Sequence, residues 1–140
     1  MQYPPLVRYE SEAQYREHFE QTYCTREIIT FDNIPVRFKK LDFDHAFYES
    51  SRSKDDTFSF KRAERIDWIK AALEDQNSEK YVGWDNKRKK SDKCRRVVLV
   101  KGNYVVVIGI SGRGTGRFIT AFLAESRRTL QKIRKNPKWA

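Results

Sequence analysis

Apolar and polar positions alternate from Arg117 to Leu123, with Phe118, Thr120 and Phe122 on one face of a strand and Ile119, Ala121 and Leu123 on the other. Both faces are mostly apolar, which predicts a central strand and leaves Thr120 as a hydroxyl among aromatics. Three further strands are predicted upstream: Tyr81–Trp84, Arg95–Val100 and Tyr104–Ile110. Gly102-Asn103 between the last two is a two-residue hairpin signal. Nearer the N-terminus the period becomes helical. Ser11 and Gln14 stand as a capping box, and Tyr15, Phe19 and Tyr23 recur behind them, predicting a helix over 12–23. His18, among Arg16, Glu17 and Glu20, reads as a surface histidine. Ser59 is placed to cap a helix over 60–74, with Ala63, Ile66, Ile69 and Leu73 as its buried stripe and Trp68 and Ala72 widening it.

Between these helices, Arg26–Phe31 and Val36–Phe38 read as strands about an Asp32-Asn33 turn, and Pro35 puts that ribbon at an edge. Phe43, His45 and Phe47 alternate, so a short extended segment would set all three on one face. Residues 125–135 form a basic helix with a thin apolar edge, Leu130 and Ile133, ended by Asn136-Pro137. The predicted fold class is α+β: N-terminal helices packed on a four-stranded antiparallel β-meander whose opposite face stays open. The domain organisation is one domain, 1–140, with an extended lead-in (1–10), helices and an edge β-ribbon (11–75), the sheet (80–124) and a basic C-terminal helix or tail (125–140).

Charge sharpens the picture. Lys and Arg number 29 against 19 for Asp and Glu, a formal charge of +10, and aromatics make up 14% of the chain. Cations interleaved with aromatics suit a partner that carries both phosphates and bases. The basic residues are not lined up on one amphipathic anchor, which argues against a membrane surface. No stretch has the form of a signal peptide or a membrane span, so a cytoplasmic protein is expected. Cys24 and Cys94 read as free thiols. The RNA-binding candidates are Lys61, the loop cations Lys87, Arg88, Lys89 and Lys90, Arg113 in the glycine-rich loop 111–116, and Arg117. That loop has neither a Walker ending nor a dinucleotide fingerprint.

Bringing His45, the cations Arg62 or Arg65, and Thr120 into one concavity would assemble the parts for RNA cleavage by its own 2′-hydroxyl. His45 would take or return a proton, Arg62 or Arg65 would stabilise the phosphorane charge, and Thr120 would hydrogen-bond a non-bridging oxygen. This scheme needs no metal and no cofactor. The acidic pairs Asp42 with Asp44 and Asp55 with Asp56 are the places where magnesium would otherwise sit.

Asp44-His45-Ala46-Phe47, the run Arg62-Ala63-Glu64-Arg65-Ile66-Asp67-Trp68-Ile69, Tyr104–Ile110 and Gly116-Arg117-Phe118-Ile119-Thr120-Ala121-Phe122 together resemble the barnase/EndoU/colicin/RelE (BECR) ribonuclease superfamily, in its phage-borne and polymorphic-toxin branches. The similarity spans roughly residues 28–124. It implies helices on a four-stranded antiparallel sheet, a metal-independent endoribonuclease leaving a 2′,3′-cyclic phosphate, and a toxin restrained by an antitoxin or immunity protein. By position the histidine would be His45, the basic residue Arg62 or Arg65, and the late-strand hydroxyl Thr120. RNA, with tRNA among the structured substrates, is the expected partner. Two other readings stand beside it: a non-catalytic basic nucleic-acid-binding module with a structural His45, and a phage-encoded interaction protein.

Overall fold

Ser11 opens the first helix as its pattern predicts, accepting from the Gln14 amide while the Gln14 side chain accepts from the Ser11 amide at 3.1 Å. The computed structural model describes the backbone of residues 3–85, 90–111 and 113–138, and the side chains of these apart from 84, 85 and 90–95. Within it α1 spans Glu12–Phe19 and continues as a π-helical turn, Glu20–Cys24. Residues four apart overshoot an α-helical turn by about 40°. The wider turn compensates, and Tyr15, Phe19 and Tyr23 are all buried in the main core.

The chain then makes β1 (Ile28–Ile29) and β2 (Pro35–Arg37), joined through Asn33 in the left-handed region (φ 67°). Next comes α2, Asp42–Phe47, where an extended segment was expected. Phe43, Ala46 and Phe47 are buried on its inner face while His45 is exposed. Apolar residues at 43, 46 and 47 satisfy a helical period as well as 43 and 47 satisfy a strand, and packing decided between them. Arg16 anchors the helix, bonding Asp44 at 2.7 Å with its guanidinium 4.3 Å from the Phe43 ring centre.

A small hairpin, β3 (Tyr48–Glu49) and β4 (Thr57–Phe58), leads to the next departure. The helix expected over 60–74 is two: α3, Phe60–Ala63, capped by Ser59, and α4, Ile66–Glu74. Arg65 sits at the break (φ −97°, ψ 23°). The predicted stripe still holds, since Ala63, Ile66, Ile69 and Leu73 are all fully buried. The Tyr23 hydroxyl pins α4 to the π-turn, donating to the Ile66 carbonyl at 2.6 Å and accepting from the Lys70 amide at 3.0 Å.

The remaining strands are β5 (Glu79–Asp85), β6 (Lys90–Lys101), β7 (Tyr104–Ile110) and β8 (Gly116–Leu123), followed by α5 (Arg127–Arg134). The Gly102-Asn103 turn stands as predicted, with Gly102 at φ 63°. The protein is α+β, but its sheet is mixed and six-stranded, ordered β1-β2-β8-β7-β6-β5. β2 pairs parallel to β8 at Val36↔Gly116 and Arg37↔Arg117, so the N-terminal ribbon extends the sheet. Gly116 makes that approach possible, because a Cβ there would stand 3.3 Å from Val36 Cγ2 and 3.4 Å from Ile34 Cγ2. Beyond Arg117 β2 no longer covers β8, and α2 packs against it there.

The alternation in β8 is broken by a bulge. Val107 pairs with Thr120 but Ile108 with Phe118, leaving Ile119 as the extra residue. Phe118 therefore shares the main core with Ala121 and Leu123, while Phe122 belongs to the opposite cluster. That opposite face is also not open as expected. Leu130 and Ile133 of α5 pack there against Tyr81, Val98, Val100 and Val105. Arg134 forks onto Glu79 at 3.1 Å through both Nε and Nη2 to hold the helix down.

Candidate functional site

The α3–α4 break, the α2–β3 junction and the ends of β7 and β8 enclose a cavity of about 150 Å³. Ala46, Ala121, Phe122 and Leu123 are its apolar lining residues, and Glu49, Lys61, Arg62, Arg65, Tyr104 and Glu125 supply its polar groups. The kink after Ala63 puts Lys61 and Arg62 on a short helical turn and Arg65 at the head of the next helix, so all three cations border one space.

Each cation is held differently. Arg62 donates through Nη1 to the Tyr48 carbonyl at 2.9 Å, with Nε 3.6 Å from Glu49 Oε1. Lys61 pairs with Glu125, whose carboxyl is thereby held below the usual range. Arg65 is the most enclosed, with 15% of its side chain exposed. Its Nη1 bonds the Lys61 carbonyl at 2.6 Å and lies 3.3 Å from Glu64 Oε1. Its Nε is shielded from solvent and has no hydrogen-bond partner. An unmade buried hydrogen bond costs about 1–3 kcal/mol, and this N–H is left unsatisfied in the fold. Tyr104 closes the cavity from below. Burial pushes its phenol well up, against the opposing pull of Arg65 and Arg62, so it remains a neutral hydroxyl near pH 7.

Trp68 backs the site, with the Arg65 guanidinium 5.1 Å from its ring centre and Tyr104 edge-on at 5.6 Å. Tyr3 stacks on Trp68 at 4.1 Å, and the indole N–H donates to the Pro4 carbonyl at 2.8 Å. The N-terminal lead-in is thus part of the scaffold behind Arg65.

The predicted catalytic residues are only partly brought together. Arg62 and Arg65 share the cavity; the His45 and Thr120 side chains do not line it. The His45 imidazole is exposed, Nδ1 lying 3.4 Å from Asp55 Oδ2. The Thr120 hydroxyl donates to the His45 carbonyl at 2.8 Å. Thr120 therefore touches His45 through its main chain and positions α2, whose next residue, Ala46, is in the cavity wall. Of the expected RNA-binding residues Lys61 is in the cavity, whereas Arg113 and Arg117 are exposed and outside its lining. Lys87, Arg88 and Lys89 lie outside the described residues; Lys90 opens β6, its side chain likewise outside them.

Glu49, Glu125 and Tyr104 were not anticipated. Tyr104 had a usable signal, since alternation from Tyr104 to Ile108 places it on the helix side of β7. The carboxylates had none, because their partners are remote in sequence. His18 is likewise more engaged than a surface residue. Its Nε2 lies 2.8 Å from Asp67 Oδ1 and its Nδ1 2.8 Å from the Tyr9 hydroxyl, which ties the lead-in to α1 and α4. A neutral imidazole protonated at Nε2 satisfies both partners.

Among the described residues no group of three or more His, Cys, Asp and Glu is placed to hold a metal ion, and no helix is long and apolar enough to cross a membrane. Comparison with protein-family models, curated proteins and solved structures finds no match.

Proposed function

We propose that this protein is a metal-independent endoribonuclease that seats an RNA phosphodiester against Lys61, Arg62 and Arg65, with the four strands β5–β8 serving as the meander of a BECR-like fold. The observation that supports this best is the buried Arg65 Nε–H without a partner, beside two further cations and a neutral phenol. A non-bridging phosphate oxygen would satisfy that donor once the Arg65 side chain turned Nε, shielded as it stands, toward the cavity. As the 2′-oxygen attacks phosphorus and the 5′-oxygen leaves, the extra negative charge falls on the oxygens facing the guanidinium groups. The 2′-hydroxyl gives up a proton and the 5′-oxygen gains one; His45 is the residue assigned to this transfer, on a helix that Thr120 positions. The products are a 2′,3′-cyclic phosphate and a 5′-hydroxyl. An antitoxin or immunity protein is the partner that such a toxin-like activity entails.

One observation favours a second reading, a non-catalytic nucleic-acid-binding module: the exposed His45 imidazole lies outside the cavity lining. Incubating the protein with total tRNA in EDTA separates the two. Cleavage to cyclic-phosphate ends is expected from the wild type, with a loss of about 10²-fold or more in His45→Ala and Arg65→Ala. In His45→Ala the affinity for RNA should persist. Intact RNA in every reaction would leave the binding module as the function.

A further inference from the structure

The cavity is not simply basic. Lys61, Arg62 and Arg65 bring three positive charges, and Glu49 and Glu125 bring two negative ones into the same lining, leaving a net single positive charge. Each cation already has a carboxylate partner: Arg62 has Glu49 at 3.6 Å, Lys61 has Glu125, and Arg65 has Glu64 at 3.3 Å, which stands outside the lining and also faces Arg8 at 3.5 Å. A plain phosphate trap would have no use for resident carboxylates, since each repels the ligand. Their effect depends on ligand charge, because Coulomb energy scales with the product of the charges. An internal phosphodiester carries one negative charge and a terminal phosphomonoester close to two above its second pKa near 6, so each carboxylate repels the monoester twice as strongly.

We infer that Glu125, together with Glu49 in the same lining, is a charge filter that cuts down the advantage a purely cationic cavity would give terminal phosphates and free mononucleotides over a phosphodiester within a chain. This rests on the proposal that the cavity binds phosphate. The geometry gives Glu125 the leading part: it follows directly on β8, at the start of the connection to α5, and its carboxylate meets Lys61 at the cavity edge. Lys61 also keeps that carboxyl ionised well below neutrality, so the negative charge is permanent under working conditions. For a nuclease the consequence is useful. Nucleotides and ends that carry phosphomonoesters would gain less from their second charge as competitors of intact backbone, while the cyclic-phosphate ends left by the proposed cleavage carry a single charge, as the backbone does.

The test uses two small probes of nearly equal size, dimethyl phosphate as the monoanion and methyl phosphate as the dianion, titrated at about pH 8 and low salt against resonances of the cavity residues. In Glu125→Gln both should bind more tightly, and the gain for the dianion should be roughly the square of that for the monoanion: about threefold for dimethyl phosphate means about tenfold for methyl phosphate. Glu49→Gln should move affinities in the same direction, an independent check should one variant fold poorly. Equal gains for both probes, or no gain for either, would overturn the filter while leaving phosphate binding intact. If neither probe shifts the cavity resonances, the filter and the phosphate-binding proposal fall together.

Discussion

Asp56 shows how much one side chain organises. Its carboxylate accepts from the amides of Ser51, Arg52 and Ser53 at 2.7, 2.9 and 3.1 Å, closing the loop between β3 and β4. Those bonds hold its pKa far below the usual aspartate range. A carboxyl depressed in the folded state contributes its stability in full above its unfolded value, near 3.9, and loses it progressively as pH falls from there to the lower folded value. The amide resonances of these three residues should therefore stay in place as the pH is lowered through about 4 and move only below it. Movement centred at the ordinary aspartate value would show that the bonds do not persist in solution. The same loop carries Asp55, the neighbour of His45, so its order bears on the proposed proton transfer. At this scale Ser11, Gln14, Ser59 and the Gly102-Asn103 turn were legible in advance, because caps and tight turns are satisfied by residues close in sequence. The partners of Glu49 and Glu125 were not: Lys61 and Glu125 stand 64 positions apart.

Among the elements, the long strands and the stripe Ala63, Ile66, Ile69 and Leu73 could be read from periodicity, whereas the short elements could not. β1 and β2 contain two and three residues, too few for an alternation to declare itself, and α2 fits either period. The parallel contact of β2 with β8 depends on Gly116. Replacing Gly116 with Ala puts a methyl 3.3 Å from Val36 Cγ2 and 3.6 Å from the Gly109 carbonyl. The junction must then open slightly, at a cost of about 1 kcal/mol, which calorimetry should register as a Tm lowered by roughly 3 °C. An unchanged Tm would mean that Val36 and Ile34 move aside at no cost, and that the close approach is not what selects glycine.

For the molecule as a whole, a formal charge of +10 predicts strong salt dependence for the proposed RNA binding. The proposed cavity site would supply few phosphate contacts, so most of that dependence should come from cations elsewhere, Lys87, Arg88, Lys89 and Lys90 first among them. Replacing those four with Gln should make the slope of log K against log salt shallower by up to about 0.7 for each phosphate contact removed, about 3 if all four engage single-stranded RNA. A slope that does not change would locate the binding surface elsewhere.

What the sequence by itself determined is the local part of this protein. Aromatic and aliphatic stripes, caps and one hairpin turn specify helices followed by strands, since each depends on neighbours within a few residues. Tertiary structure alone decided the rest: the kink that sets Arg65 against Trp68, the bulge at Ile119 that changes the facing of β8, the parallel seam at Gly116, and the carboxylates that leave a cationic cavity with a single net positive charge. The seam and the carboxylate pairs join segments distant in sequence, while the kink and the bulge are local in sequence but set by packing, and none of these outcomes is encoded by a local pattern.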